Sequence, residues 1–280
     1  MHHLPPTLLL ATLLLTCSQP QTPASAPEPT AALTSPATTE VVDFATEPED
    51  STRYAELLNV AYLTGRFDPA NRADFVKVAP EYTDGDPYRL HQDTYAAFER
   101  MHAAAKADGI TLTMVSATRN FGRQKQIWEA KWNGQRLLEG TEKADEVYPD
   151  PVDRARAILR YSSMPGTSRH HWGTDIDLND LNNSYFASGE GKRVYDWLTA
   201  NAATYGFCQP YTPKEAGSGR TTGYEEEKWH WSYTPIARRL TKYAATQMRN
   251  SDIGGFAGAE AAEGINVLSE YVLGINPACK

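Results

Sequence analysis

Thirteen residues constrain this chain more than any other stretch: Ser168-Arg169-His170-His171-Trp172-Gly173-Thr174-Asp175-Ile176-Asp177-Leu178-Asn179-Asp180. Two histidines, three carboxylates and a glycine are crowded together there. An extended segment after Gly173 alternates its side chains, which puts Asp175, Asp177 and Asn179 on one face and turns Thr174, Ile176 and Leu178 toward a core. A strand with carboxylates on one face, just after a histidine pair, suits a cation. Zinc takes nitrogen and oxygen ligands, and a catalytic zinc keeps three protein ligands and one open position. This stretch supplies two of them, one being either His170 or His171, because neighbours on an extended chain face opposite ways.

A third ligand must come from elsewhere, and His230 is the remaining histidine of the later half of the chain. It lies in Glu225-Glu226-Glu227-Lys228-Trp229-His230-Trp231-Ser232-Tyr233, among aromatics at strand-like spacing. Glu227, three residues earlier, adds a carboxylate placed to act as a general base, taking a proton from water and passing it to a leaving group. A histidine between tryptophans is by itself more often a core residue. The conjunction of the two segments is what points to a metal.

Ser168-x-His170-x-x-Gly173-x-x-x-Asp177, followed by Glu227-x-Trp229-His230, resembles the zinc D-alanyl-D-alanine carboxypeptidases of the VanY type. Upstream, Ser116-Ala117-Thr118-Arg119-Asn120-Phe121-Gly122-Arg123-Gln124 is similar to that family's Ser-Gly-Tyr-Arg-Ser-Phe-x-x-Gln block. The three blocks stand in the family's order and the resemblance runs from about Tyr54 to Tyr243. It implies that His170, Asp177 and His230 hold one zinc ion, the histidine-to-aspartate spacing selecting His170 over His171. It implies Glu227 as catalytic base, Arg119 as the group that steadies an oxyanion or a substrate carboxylate, and Gln124 and Ser168 as lining of that pocket. Ala117-Thr118 replaces Gly-Tyr, and Asp175 stands where a small residue is usual. Asp175 either orients a ligand, carries charge for a substrate amine, or is an ordinary hydrogen-bonded carboxylate.

The start of the chain reads as processing signals. Leu8–Leu15 is an apolar run too short to span a bilayer, which takes roughly 20 residues, and it suits the h-region of a secretory signal. It leads into Leu14-Leu15-Thr16-Cys17, which looks like a bacterial lipobox, so residues 1–17 are expected to be a lipoprotein-type signal with Cys17 acylated; simple secretion is the alternative. Residues 18–50, rich in Pro, Thr and Ala, lack apolar periodicity and are expected to form a disordered tether. Of 35 acidic and 27 basic side chains, six acidic and no basic ones fall within residues 1–50. The remainder is therefore nearly neutral, and no basic patch points to nucleic acid.

Residues 51–249 suit one domain, with 250–280 as a C-terminal helical cap. Periodicity predicts helices over Arg53–Thr64, Gln92–Ala107, Gly122–Trp132, Asp150–Leu159, Arg193–Tyr205 and Pro235–Tyr243, and strands over Ile110–Val115 and from Phe207. Arg123, Lys125 and Lys131 read as a wet helix face. Thr212–Gly223, rich in Gly, Lys and Thr, reads as a mobile loop, and Ile265–Leu273 has a helix-like apolar face. If Cys17 is lipidated, Cys208 and Cys279 remain as a pair for a disulfide that ties the cap down; two free thiols are the alternative.

The expected architecture is α+β, a central antiparallel sheet with flanking helices and a single zinc site, in the manner of hedgehog and DD-peptidase folds. The resemblance implies a zinc metallopeptidase, a DD- or LD-carboxypeptidase hydrolysing a peptide bond near the C-terminus of peptidoglycan stem peptides. The expected setting is the bacterial cell envelope, as a monomer that is a periplasm-facing lipoprotein on a membrane or is secreted. The alternatives are an endopeptidase or dipeptidase on wall peptides, and a non-catalytic zinc-containing module that binds peptidoglycan. Glu227 separates the last, since a pure binder needs no base there.

Overall fold

A computed structural model describes residues 52–215 and 219–280. The signal-like segment with Cys17 and the tether fall outside the described residues. Helices α1 (Val60–Leu63), α2 (Gln92–Ala107), α3 (Phe121–Trp132), α4 (Ala144–Val147), α5 (Pro151–Ile158), α6 (Gly189–Asn201), α7 (Thr234–Gln247) and α8 (Ala261–Ile265) alternate with short strands. Strands β1 (Phe75–Lys77) and β2 (Arg89–His91) form an antiparallel pair. Strands β3 (Met114–Ser116), β4 (Asp175–Leu178), β5 (Phe207–Cys208) and β6 (His230–Tyr233) form an antiparallel sheet in the order β3-β4-β6-β5. The α+β architecture expected from the sequence is the one observed.

The sheet is short but deeply placed. All four residues of β4 and all four of β6 are buried, so both faces need cover. Ile176 pairs with Trp231 across the two strands on one face, and α2, whose Phe98, Met101 and Ala105 are fully buried, belongs to the same apolar core. Burying a side chain of this kind is worth about 1.5–3 kcal/mol. Helix α2 matches its sequence pattern, with Gly109 taking the left-handed conformation (φ +72°) just past its end. Helix α5 starts as Asp150-Pro151 requires, the Asp150 carboxylate accepting from the amides of Val152 and Asp153.

Several expectations are corrected. Arg53–Thr64 is not one helix but a 3-10 turn (Ala55–Leu57) followed by α1, because Asn59 accepts from the Tyr62 amide at 2.8 Å and so caps a new helix in mid-segment. Only the end of Ile110–Val115 is strand: the Ile110 amide donates to Ala105 of α2, and Asn179 bonds the carbonyls of Thr111 and Thr113. Helix α6 begins earlier than expected, and its last turn tightens to 3-10 over Ala202–Tyr205. Ile265–Leu273 is broken at Asn266 (φ +57°) into α8 and a separate turn. Lys131 is not on a wet face. With Gln124 and Trp128 it lies on the inward stripe of α3, spaced i, i+4, i+7.

The C-terminal segment belongs to the core rather than merely covering it. Ile253, Phe256, Val267 and Val272 are buried in the same apolar cluster as the sheet, and the Trp128 indole donates to the Ala257 carbonyl. Cys208 and Cys279 form a disulfide across 71 positions of sequence. The Asn276 amide, nearby, donates to the Pro210 carbonyl. The described part of Thr212–Gly223 contains no helix or strand, but it is anchored. The buried Arg220 guanidinium donates to the carbonyls of Thr212, Thr222 and Tyr224.

Candidate metal centre and cleft

Strand register creates the site. Asp177 lies directly opposite His230, and Asp175 directly opposite Ser232. Side chains paired this way have Cβ atoms about 4.5–5.5 Å apart on one face of the sheet. His170 arrives from the other side, in a 3-10 turn (Arg169–Trp172) rather than the extended chain expected there. Gly173 ends that turn in a left-handed conformation (φ +72°), where a Cβ would meet the Phe75 ring at 2.6 Å; only glycine fits. Asn179 also has positive φ (+66°), and its side chain donates to the Thr111 carbonyl, away from the face it was expected to share.

His170, Asp177 and His230 each offer a ligand atom, all within 4.8 Å of one another and buried. Both imidazoles have one nitrogen committed elsewhere. His170 Nδ1 is 2.9 Å from the Ala117 carbonyl, which can only accept, so the proton is on Nδ1 and the lone pair on Nε2. His230 Nε2 is 2.8 Å from Asp175 Oδ1, leaving Nδ1 to face the site. The free His170 Nε2 lies 3.3 Å from Asp177 Oδ2, and His230 Nδ1 lies 3.3 Å from Asp177 Oδ1. His170 Nε2 and Asp177 Oδ1 are buried without a hydrogen-bond partner among the described residues. Orphaned acceptors of this kind cost about 1–3 kcal/mol each unless something fills them. Two inward ring nitrogens and a carboxylate oxygen, once His230 gives up a proton, fit zinc, which leaves a fourth position open.

The electrostatics also call for a positive charge. Burial opposes ionising His230, yet hydrogen bonds to Asp175 and Glu227 and the charge of Asp177 lift it to about 9. Burial likewise raises Asp177, but the His170 and His230 charges outweigh it and bring it down to about 2. His170 is lowered by burial and by Arg119. Glu227 is raised, burial outweighing its hydrogen bond to His230. Its Oε2 sits 3.1 Å from His230 Nδ1, and the residue lines the same cleft as the triad.

His171 is spoken for by the backbone: its Nδ1 faces the Arg119 carbonyl at 2.5 Å and its Nε2 accepts from the Gly166 amide at 3.1 Å. The Arg119 amide donates to the His170 carbonyl, so the Arg119 segment and the histidine turn are locked together. Arg119 Nε, Gln124 Oε1 and Ser168 Oγ all lack partners among the described residues, though buried. All three residues line a cleft of about 1070 Å³ that also contains the triad and Glu227. Gln124 Nε2 donates to the Ser163 carbonyl at 2.8 Å, which turns its acceptor oxygen free.

Asp175, left open by sequence, orients His230. It is fully buried and accepts from Arg169 Nε (3.1 Å), Ser232 Oγ (3.0 Å), Thr174 Oγ1 (2.5 Å) and His230 Nε2. Burial would raise its pKa, but Arg169 overcomes this and holds it well below the usual range. Arg169 was missed. A carboxylate at a buried strand position demands a cation, and Arg169, six residues earlier in the same block, was the signal available.

A sequence model of the VanY family, described as D-alanyl-D-alanine carboxypeptidase, matches residues 87–236, which include both histidines, Asp177, Glu227 and Arg119. The chain belongs to the VanY carboxypeptidase family. The putative carboxypeptidase YodJ of Bacillus subtilis is 28% identical over 207 residues, covering 70% of this chain and 63% of that protein. An uncharacterised protein of Haemophilus influenzae is 29% identical over 84 residues, 29% of this chain and 58% of its own length. The chain thus spans less than two thirds of the curated relatives it matches. Among solved structures, VanYB in complex with D-alanine-D-alanine is 22% identical over 72% of this chain and 87% of that one, with a TM-score of 0.42. The LdcB LD-carboxypeptidase is 21% identical, covering 74% of this chain and 78% of that one, with a TM-score of 0.44. The Ser168-to-Asp177 block of this VanY-family chain carries Asp175, whose counter-charge Arg169 is built into the same block.

Proposed function

We propose that this protein is a zinc-dependent peptidase that removes a C-terminal residue from peptidoglycan stem peptides at the bacterial cell envelope. One observation carries the reading. The free nitrogens of His170 and His230 and the Asp177 carboxylate converge beside a buried Glu227, in a cleft where Arg119 Nε has no partner among the described residues. His170, Asp177 and His230 would hold one zinc ion, which when bound supplies Lewis acidity toward a carbonyl and makes water a better nucleophile near neutral pH.

The chain's own groups do the rest. Glu227, with a pKa raised by burial, accepts the proton of the attacking water and returns it to the leaving amine. The Arg119 guanidinium offers forked donors suited to a substrate carboxylate. Gln124 Oε1 is an acceptor, so it suits a substrate N–H, while Ser168 Oγ can donate or accept. The leader and tether read in residues 1–50, with Cys17 lipidated, would keep a monomeric domain near the wall.

The test is mass spectrometry of defined stem peptides after incubation with the zinc-loaded protein, comparing free and amidated C-termini. Release of the terminal residue from the free form, with amidation slowing it at least tenfold, supports the reading. Equal cleavage of both points to an endopeptidase. Binding without cleavage, unaltered in Glu227→Gln, points to a binding module.

A further inference from the structure

Helix α3 places a buried lysine in the cleft, and the catalytic reading does not use it. Lys131 is two turns beyond Gln124 on the same inward face, 8% exposed, and lines the cleft. Its ammonium donates to Ser162 Oγ at 2.7 Å, and no carboxylate lies within ion-pair distance among the described residues. Lysine is almost never buried without a partner; a hydroxyl does not neutralise it, and Glu139 and Glu227 act on it only from beyond ion-pair distance. Burial and Arg136 together draw its pKa down to about 8. Side chains on a helix slant toward its N-terminus, so the Lys131 head leans back toward Gln124. The positions of their partners agree: Gln124 is bonded to Ser163 and Lys131 to the adjacent Ser162.

We propose that Lys131, steadied by Ser162, anchors a carboxylate of the substrate. The inference rests on the stem-peptide reading and extends it: the preferred substrate presents a free carboxylate to Lys131 in the cleft. Two sources share this chemistry. One is the side-chain carboxylate of a diaminodicarboxylic residue on the acyl side of the scissile bond; the other is the C-terminal carboxylate itself, held jointly with Arg119. Neutral residues on that side would leave the buried ammonium unpaired, which gives selectivity as well as affinity.

Four pentapeptides decide the matter, with the third-residue side-chain carboxylate free or amidated and the C-terminus free or amidated. Affinities are measured by calorimetry on zinc-loaded protein carrying Glu227→Gln, with and without Lys131→Met. A charge-assisted contact predicts that amidation at the position Lys131 reads weakens binding by about 10–100-fold, and that this ratio collapses toward one in Lys131→Met. Collapse of the side-chain ratio assigns the acyl-side carboxylate; collapse of the terminal ratio assigns joint recognition with Arg119. If both ratios are the same with and without Lys131→Met, the proposal is overturned. Lys131→Arg, which keeps the charge, should retain most of the discrimination, and Lys131→Gln serves if the methionine variant does not melt cooperatively. Turnover of the four peptides by the wild-type protein is read separately. No cleavage of any would sink the carboxypeptidase reading, while the affinity ratios would still judge Lys131.

Discussion

Asp175→Asn separates two jobs that one carboxylate performs. Asp175 fixes the His230 ring, and it neutralises Arg169; both ionic side chains are fully buried. Asparagine is nearly isosteric and keeps one acceptor oxygen, but it has no charge and serves four donors poorly. Loss of a partner that orients a metal-bound histidine typically costs 10–100-fold in metal affinity. Leaving a buried charge unpaired costs about 3–5 kcal/mol. Asparagine's remaining acceptor favours the lower end, about 3 kcal/mol, which for a domain of this size is a fall of roughly 6–12 °C in Tm.

The two effects have separate readouts: competition with a chromogenic chelator for zinc, and thermal melting of the metal-free protein. Adding Arg169→Met to Asp175→Asn removes the stranded cation, so stability should recover in part while zinc affinity stays low. The pH dependence has a definite sign. The folded pKa of Asp175 is depressed by Arg169 against the opposing effect of burial, so its stabilisation is complete above the ordinary aspartate value and drains away as pH falls toward the folded one. The gap between wild type and variant should therefore shrink below about pH 4. An unchanged zinc affinity together with a metal-free Tm within about 2 °C of wild type, less than 1 kcal/mol, would refute both roles.

His170→Ala, Asp177→Ala and His230→Ala should each abolish stoichiometric zinc in the purified protein, read by elemental analysis; full occupancy in any one would remove that residue from the ligand set. Glu227→Gln should keep zinc and lose about 10²–10⁴ in kcat, the usual worth of general acid–base help. Because burial raises the Glu227 pKa, wild-type activity should fall with decreasing pH at a higher pH than an exposed glutamate would give, and a profile flat down to pH 4 would contradict its role as base. Opening the disulfide with Cys208→Ser and Cys279→Ser releases a closed loop of 71 positions. In the chain-entropy account this costs about 4 kcal/mol, seen as a lower denaturation midpoint, and no change would mean the C-terminal segment is held by its apolar contacts and hydrogen bonds without help from the disulfide.

Local chemistry was legible in the sequence, and long-range register was not. His170 and Asp177 sit seven apart, Glu227 and His230 three apart, and these short spacings are enough to put each pair together. That Asp177 faces His230 across a strand pair depends on the register of β4 with β6, which no local pattern states. Helix α2 and the Asp150-Pro151 start were readable because cap and stripe chemistry act within a few residues. Lys131 was misjudged because its charge was weighed above its place on the stripe with Gln124 and Trp128. The Ile110–Val115 stretch has strand composition, but Asn179 takes its carbonyls first.

Contacts within the chain orient both histidine rings. His170 rests its Nδ1 proton on Ala117, just past β3, and His230 rests its Nε2 proton on Asp175, in β4. The other ring nitrogens, His170 Nε2 and His230 Nδ1, therefore point inward because of the sheet. Small zinc domains use the metal as folding energy; here one apolar core, running from Tyr54 to Cys279, already holds the chain. His230 Nδ1 cannot both donate to Glu227 and offer a lone pair to a cation. An ion held at that nitrogen would release the Glu227 carboxylate from its 3.1 Å contact, in surroundings that favour taking up a proton. In the proposed mechanism, metal binding and readiness of the base would thereby be coupled through one ring atom.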